Sequence, residues 1–438
     1  MTWTIAQAMA YIQSLKAAGM KPGLARMERA LALLNNPQKR LRTVHIAGTN
    51  GKGSTGRMIQ SILTAAGYRT GRFDSPPVMG LRQTLTLDGE AISAERFAAL
   101  TQRMAALQEK MGKAGGLTEF ELVTAMALLW FAEEKTDICV LECGMGGRDD
   151  ATNVVGPPLT AVLTPVALDH MAVLGKTVEE IASVKCGILK PPCGVVTSPS
   201  QSPAALGVLL ERAAALGLTV RQPVAAAAEL LEEDWGQLRF VYDGEEYRLP
   251  LTGAFQRDNA LTAIETVRCL AEKGFPVEKE AVSRGLAAAE IPCRQEVFSR
   301  EPLIVLDGAH NPHGMAALAA TLGRLLPGRR MTAVFGMLRD KDTAACAALL
   351  GPHCKRMVCC APPNPRALEA EELARQASSY CGEVAASVSP AEALRLAGEQ
   401  AGDGPLLIAG SLYLCEAIRP ILLEKDIFRQ QSTETPFI

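Results

Sequence analysis

No apolar run in the 438 residues approaches the roughly 18 needed to span a bilayer, and the start, MTWTIAQAMAYIQSLK, lacks a basic segment followed by an apolar one. The cytoplasm is therefore the expected location. No block of like charge stands out: 45 Lys+Arg face 47 Asp+Glu, a formal charge of -2, which leaves no basic arm for nucleic acid and no polybasic patch for a membrane surface. Partners should be small molecules, with no nucleic acid and no membrane, and a monomer is expected; any phosphate recognition must be local. Twelve cysteines include no C-x-x-C pair, and most sit in apolar runs such as DICVLE (Cys139) and ETVRCLAEK (Cys269), so buried free thiols are expected ahead of zinc or disulfides. Internal repeats and low-complexity tracts are absent too.

What is present is an ordinary globular composition, 48% hydrophobic and 21% charged, with length for about two to three domains. Strands alternate with helices. Thr43–Ala47, Asp137–Glu142 and Leu159–Thr164 read as buried strands and Ser54–Ala66 as a helix, the pattern of a mainly parallel sheet with right-handed crossovers. Arg239–Leu249 breaks the rhythm with Asp243-Gly244 between two alternating runs, a hairpin signal. Helices follow at Asn259–Lys273 and Glu278–Ala289, and a polar stretch runs to Pro302. Beyond it the alternation restarts with strands near Leu303–Asp307, Met331–Phe335, Lys355–Cys360, Glu383–Val388 and Pro405–Ala409. The fold class is therefore α/β: a larger, mainly parallel domain over 1–297, with a small antiparallel element, and a smaller Rossmann-like domain over 298–438.

The sharpest chemical signal is Gly48-Thr49-Asn50-Gly51-Lys52-Gly53-Ser54-Thr55 between a strand and a helix. Glycines let backbone N–H groups turn toward phosphate oxygens, the helix N-terminus adds partial positive charge, Lys52 reaches the outer phosphates and Ser54 can ligate Mg²⁺. Gly53 separates Lys52 from Ser54, which the usual phosphate loop does not do. Glu142 ends a strand at the same edge, where a second Mg²⁺ ligand is wanted. His170 follows another strand and, on its own, reads first as a structural histidine. Lys185 lies in an apolar helical pattern, where an uncharged or modified amine costs less than an ammonium ion; a snorkelling surface lysine is the alternative. Asp307 and His310 stand where the first strand of the second domain gives way to a helix, which also suits a simple Asp-capped turn.

The spacing GTNGKGS resembles the ATP site of the Mur ligase superfamily, and the whole chain resembles folylpolyglutamate synthase/dihydrofolate synthase. The resemblance runs through Gly23–Met27, Thr118–Glu121, Glu142–Asn153, Leu168-Asp169-His170 with Leu174–Thr177, Lys185–Ile188, Phe255-Gln256 with Asn259-Ala260, Asp307–Pro312, Asp340–Asp342 and Gly410–Leu414. It implies a P-loop ATP site of Thr49, Asn50, Gly51, Lys52, Gly53, Ser54 and Thr55, with Gln256 and Asn259 at the base, Asp307 at the ribose and Arg294 at the γ-phosphate. It implies Mg²⁺ held by Ser54, Ser75, Glu142 and His170, and Lys185 carrying CO₂ as a carbamate. Phe120, Asp150, Thr152, His310 and Ser411 are implied to bind the acid and amino-acid substrates, with Lys52, Glu142, His170, Lys185 and His310 catalytic.

The implied reaction is ATP-dependent ligation of L-glutamate to a folate, with dihydropteroate an alternative acid, through an acyl phosphate. A Mur-type ligase acting on a non-folate acid, or a non-catalytic nucleotide-binding relative, would keep the same fold. Several positions depart from the family pattern: Ser75-Pro76-Pro77 for Ser-Pro-His, Gln83-Thr84-Leu85 for Glu-Arg-Ile, Asp149 for Leu, Val184 for Glu and Cys293 for Gly. These bear on the acid substrate more than on ATP.

Overall fold

Thr43–Ala47 is a short run rich in β-branched residues that ends at Gly48, and all five are buried as β1. In the computed structural model, which describes residues 2–424 apart from 16–18, 20–22, 78 and 113–114, this strand lies inside an eight-stranded sheet. Its members are β1, β2 (Thr70–Phe73), β3 (Leu85–Leu87), β4 (Glu90–Ala91), β5 (Ile138–Glu142), β6 (Thr160–Leu163), β7 (Gly194–Thr197) and β8 (Val220–Arg221), in the order β4-β3-β2-β5-β1-β6-β7-β8. β2, β5, β1, β6, β7 and β8 are parallel; β3 runs against them, and the edge strand β4 runs against β3. The registers Ile46↔Glu142, Ala47↔Leu163 and Phe73↔Leu141 end the central strands along one carboxyl edge, where open α/β sheets bind ligands.

Both faces of this sheet are covered. Helix Lys52–Ala65 packs on one, with Gly56 close to Ile46 Cδ1 and Val140 Cγ1. Helix Glu119–Glu133 packs on the other, where Phe131 lies against Gly71 and Phe73, Leu122, Met126 and Leu141 share a core. Each fully buried side chain of this kind contributes about 1.5–3 kcal/mol of transfer free energy.

The expected hairpin is present and belongs to a three-stranded sheet, β9 (Ala228–Asp234), β10 (Gln237–Tyr242) and β11 (Glu245–Leu249), in the order β11-β10-β9. Its turn places Asp243 at φ 51 and Gly244 at φ 78, the left-handed pair a two-residue turn demands. A six-stranded sheet follows: β12 (Glu296–Arg300), β13 (Leu303–Asp307), β14 (Met331–Phe335), β15 (Cys354–Cys359), β16 (Val384–Ala386) and β17 (Leu406–Ala409), in the order β12-β13-β17-β14-β15-β16. It is parallel except for the antiparallel edge β12.

The chain divides into two units. The first runs to Glu229 and adds Val241–Arg248 and Arg257–Ala289; the second takes Leu230–Phe240, Leu249–Gln256 and the chain from Glu290. The division expected at residue 298 falls inside β12, whose pairing with β13 draws the segment before it into the second unit. All twelve cysteines are buried and free. Among the described residues no helix is long and apolar enough to cross a membrane.

Candidate active site

The loop after β1 is held from below. Thr49 and Asn50 donate their N–H groups to Pro165 O (2.9 and 3.3 Å), and Thr49 Oγ1 donates to Ala167 O (3.0 Å) while accepting from Ala167 N (3.1 Å). Thr49 therefore braces the loop with its side chain. Gly51 turns the chain into helix Lys52–Ala65 at φ 85, and a Cβ there would stand 2.5 Å from Asn259 Oδ1. Asn259, nearly 210 residues away in the sequence, is thus packed against the phosphate loop. A Cβ on Gly53 would lie 3.3 Å from Glu142 Oε2. The glycine that sets this loop apart from the common motif is what admits the carboxylate.

Lys52 Nζ stands 3.7 Å from Glu142 Oε1 and donates to Thr49 O at 3.3 Å. Ser54 and Thr55 are buried at the helix start, and Thr55 Oγ1 has no hydrogen-bond partner. The donors on this edge are hard oxygens, and among the described residues no three His, Cys, Asp or Glu side chains form a metal cage of their own. Such a set, one carboxylate and a hydroxyl beside a cradle a Cβ would fill, fits Mg²⁺, which takes few protein ligands and completes its shell with phosphate oxygens and water.

Lys185 ends helix Val178–Lys185, is 4% exposed, and donates from Nζ to Gly48 O at 2.7 Å. Burial, reinforced by the charge of Lys52, brings its pKa down to about 7. The turn after Glu142 packs on this helix: Arg148 N donates to Val184 O (3.0 Å), and a Cβ on Gly147 would meet Lys185 O at 2.6 Å. Asp150 holds the turn, accepting from Met145 N (2.9 Å), Thr152 N (3.0 Å) and Thr152 Oγ1 (2.6 Å). Thr152 Oγ1 and Cys143 Sγ both meet His45 Nε2, at 2.8 and 3.2 Å. Burial keeps His45 neutral, with a pKa of about 3.

In the second unit Asp307 ends β13 and accepts from Gln295 N (3.0 Å) and Ala309 N (2.6 Å). Burial raises its pKa to about 6 against the opposing pull of Arg294. His310 Nδ1 donates to Gly308 O at 2.8 Å. Ser411 is buried, its Oγ accepting from Tyr413 N at 3.1 Å.

Residues 46–267 match the Mur ligase middle domain, and residues 293–412 match the Mur ligase glutamate ligase domain. A dihydrofolate synthase/folylpolyglutamate synthase of Bacillus subtilis is 36% identical over 412 residues, 92% of this chain and 95% of the relative. The chain belongs to the folylpolyglutamate synthase/dihydrofolate synthase family of Mur ligases. It is an ATP-dependent ligase. Solved structures in this family include Mycobacterium tuberculosis folylpolyglutamate synthase complexed with ADP and AMPPCP, at TM-score 0.86, 31% identity and coverage of 95% of this chain and 99% of that one. The Escherichia coli protein in complex with DHPP and ADP matches at TM-score 0.84 and 29% identity, covering 98% and 99%.

Of the residues that the family resemblance singles out, the fold gathers Gly48–Thr55, Glu142, Lys185 and Asn259 in the first unit, and Arg294, Asp307 and His310 in the second. His170 is exposed at the start of the short helix Met171–Leu174, with backbone φ 51, on the segment that leads on from Ala167. Ser75 is half-buried in the loop after β2. Phe120 is tilted against Phe73 with ring centroids 5.8 Å apart and lies against Gly144. Gln256 is fully buried. Asp150 and Thr152 turn their polar atoms inward, so the structure uses them to hold the Gly144–Gly147 turn. Sequence reasoning passed over Arg57, Arg72 and Asp74, though an arginine inside the buried strand TGRF is a visible anomaly.

Proposed function

We propose that this ligase joins L-glutamate to the γ-carboxylate of a folate, with dihydropteroate an alternative acid. The acid's carboxylate oxygen attacks the γ-phosphorus of ATP, the bond to the β-phosphate oxygen breaks, and ADP leaves an acyl phosphate. The glutamate nitrogen then adds to the acyl carbon, the tetrahedral intermediate expels phosphate, and an amide remains. Lys52 faces charge that builds on the transferring phosphoryl oxygens, a contribution of position and electrostatics. Ser54 and Glu142, joined by Ser75 and His170, would hold Mg²⁺, whose charge screens the phosphate oxygens. Asn259 and Gln256 serve the base, Asp307 the ribose and Arg294 the γ-phosphate. His310 and Ser411 approach the incoming amino acid. Phe120 supplies an aromatic face to the acid.

Lys185 is suited to carbamylation. Its neutral nitrogen attacks CO₂, forming an N–C bond and releasing one proton to solvent, which converts a potential cation beside the phosphate loop into an anion.

The observation that carries this reading is Lys52 held between Thr49 O and the Glu142 carboxylate at the start of a helix that follows a buried parallel strand. Lys52→Ala and Glu142→Ala are each expected to lower glutamate-dependent phosphate release by about 10²-fold or more, since losing one preorganised charge costs about 3 kcal/mol of transition-state stabilisation. Circular dichroism should be unchanged. Near-wild-type turnover in either variant removes the assignment.

A further inference from the structure

A second carboxylate ends the strand beside Glu142. Parallel register pairs Phe73 with Leu141, so one step on, Asp74 stands next to Glu142, and the pleat puts Arg72, Asp74, Val140 and Glu142 on one face. That face is the one under helix Lys52–Ala65, as the approach of Gly56 to Val140 shows. The helix reaches down to it twice. Arg57 Nη2 donates to Asp74 Oδ2 at 3.1 Å, and Gln60 Oε1 accepts from Arg72 Nε at 2.7 Å. Arg72 also donates from Nη1 to the same Asp74 Oδ2. From the other side, Asp74 N donates to Thr84 O at 3.1 Å, just before β3.

Asp74 is therefore tied to the phosphate-loop helix, to its own strand and to the neighbouring β3 side, and Ser75 is the next residue. The arrangement is a costly way to stabilise a fold. Arg72 is 3% exposed, and its guanidinium is pulled down first by burial and then by the like charge of Arg57. Buried ion pairs of this kind return little net stability compared with apolar packing, whereas breaking one leaves a charge stranded. What they do supply is a fixed position: a residue bonded to two elements cannot drift relative to either.

We propose that Asp74 is a positioning residue which, through Arg57 and Arg72, ties the loop after β2 to the phosphate-loop helix and so fixes Ser75 at the metal–nucleotide site. The inference rests on the assignment of Ser75 to the metal under the proposed function. Mn²⁺, visible by electron paramagnetic resonance, serves as the probe in the full-length protein with AMPPCP. Ser75→Ala, Asp74→Ala and Arg57→Gln are each expected to weaken Mn²⁺ binding about tenfold, while AMPPCP binding in EDTA stays within twofold of wild type. Arg57→Lys should recover most of the loss. Arg57 is partly solvent-exposed, so Arg57→Gln decides the matter if Asp74→Ala fails to fold. If Ser75→Ala weakens Mn²⁺ but Asp74→Ala or Arg57→Gln does not, the tether is refuted and the Ser75 assignment stands. If Ser75→Ala itself leaves Mn²⁺ binding unchanged, the assignment of Ser75 falls and the tether with it.

Discussion

Lys185 is an amine buried beside another cation, Lys52. Its ordinary value of 10.5 falls to about 7 on folding. Between those values the unfolded chain holds a proton that the folded chain has released, so stability should rise with pH across that window and be lowest below about pH 7. The same neutral nitrogen is the nucleophile for CO₂. With ¹³C-labelled CO₂ at constant pressure, a carbamate resonance is expected to grow as pH rises through about 7 and to be missing in Lys185→Arg; a signal equal in both proteins would place it elsewhere. A second residue carries backbone strain. Cys293, where the family reads Gly, is buried at φ 58, with its free thiol hydrogen-bonded to that of Cys415. A left-handed conformation costs an L-residue about 1–2 kcal/mol, and glycine nothing. Cys293→Gly should therefore melt higher than Cys293→Ala, a gap of about 1 kcal/mol, reversing the usual order of the two residues. Equal or inverted melting temperatures would show that the turn relaxes.

Elements built from one-sided or apolar runs are legible in the sequence, and those defined by a partner are not. Thr43–Ala47, Leu303–Asp307 and Met331–Phe335 form the strands their composition announces, because a strand buried on both faces needs only β-branched and apolar residues. β9 reads AELLEED and buries only Ala228, and β12, EVFSR, looks like a polar linker until it pairs with β13. Neither has an alternation to read; the neighbouring strand supplies the structure. Helix contacts are equally hidden. Helix Lys279–Ala287 crosses the phosphate-loop helix at Gly285, where a Cβ would come within 2.4 Å of Ile62 Cα, and Ser61 Oγ donates to Gly285 O at 2.7 Å. Backbone cannot yield as a flexible side chain can. Gly285→Ala should push the helices apart at a cost of about 1–3 kcal/mol, measured by chemical denaturation, and raise the KM for ATP by tilting the helix that starts at Lys52. A stability within about 0.5 kcal/mol of wild type would mean that the crossing has slack.

At the scale of the whole chain, the phosphate loop, the strand-end Glu142 and the buried Lys185 are legible locally, while the contacts that hold them and their neighbours in place depend on register and sequence-distant pairs. The Asp74 tether needs β2 beside β5 and a helix above both; the inward turn of Asp150 and Thr152 needs His45 behind them. Substrate identity is thus where the family match and the residues pull apart. Pro77, Gln83 and Thr84 replace a His, a Glu and an Arg of the family pattern, and the polar atoms here close on the loop itself, Thr84 Oγ1 donating to Leu81 O at 2.7 Å and Arg82 Nε to Ile92 O at 2.9 Å. If these changes only remove uniform binding, the KM for a folate should be about 10–100-fold above that of a relative with the charges intact, because a hydrogen bond to a charged group is worth about 1.5–3 kcal/mol, and kcat should be preserved. Phosphate release measured with tetrahydrofolate, a folylglutamate and dihydropteroate, each with and without L-glutamate, tests this directly. Stimulation by at least one of the three, dependent on glutamate, is the expected result. Silence with all three at any concentration, alongside intact AMPPCP binding and the Lys52-dependent basal ATPase, would instead assign the loop to a different carboxylic acid while leaving the acyl-phosphate chemistry of Lys52 and Glu142 in place.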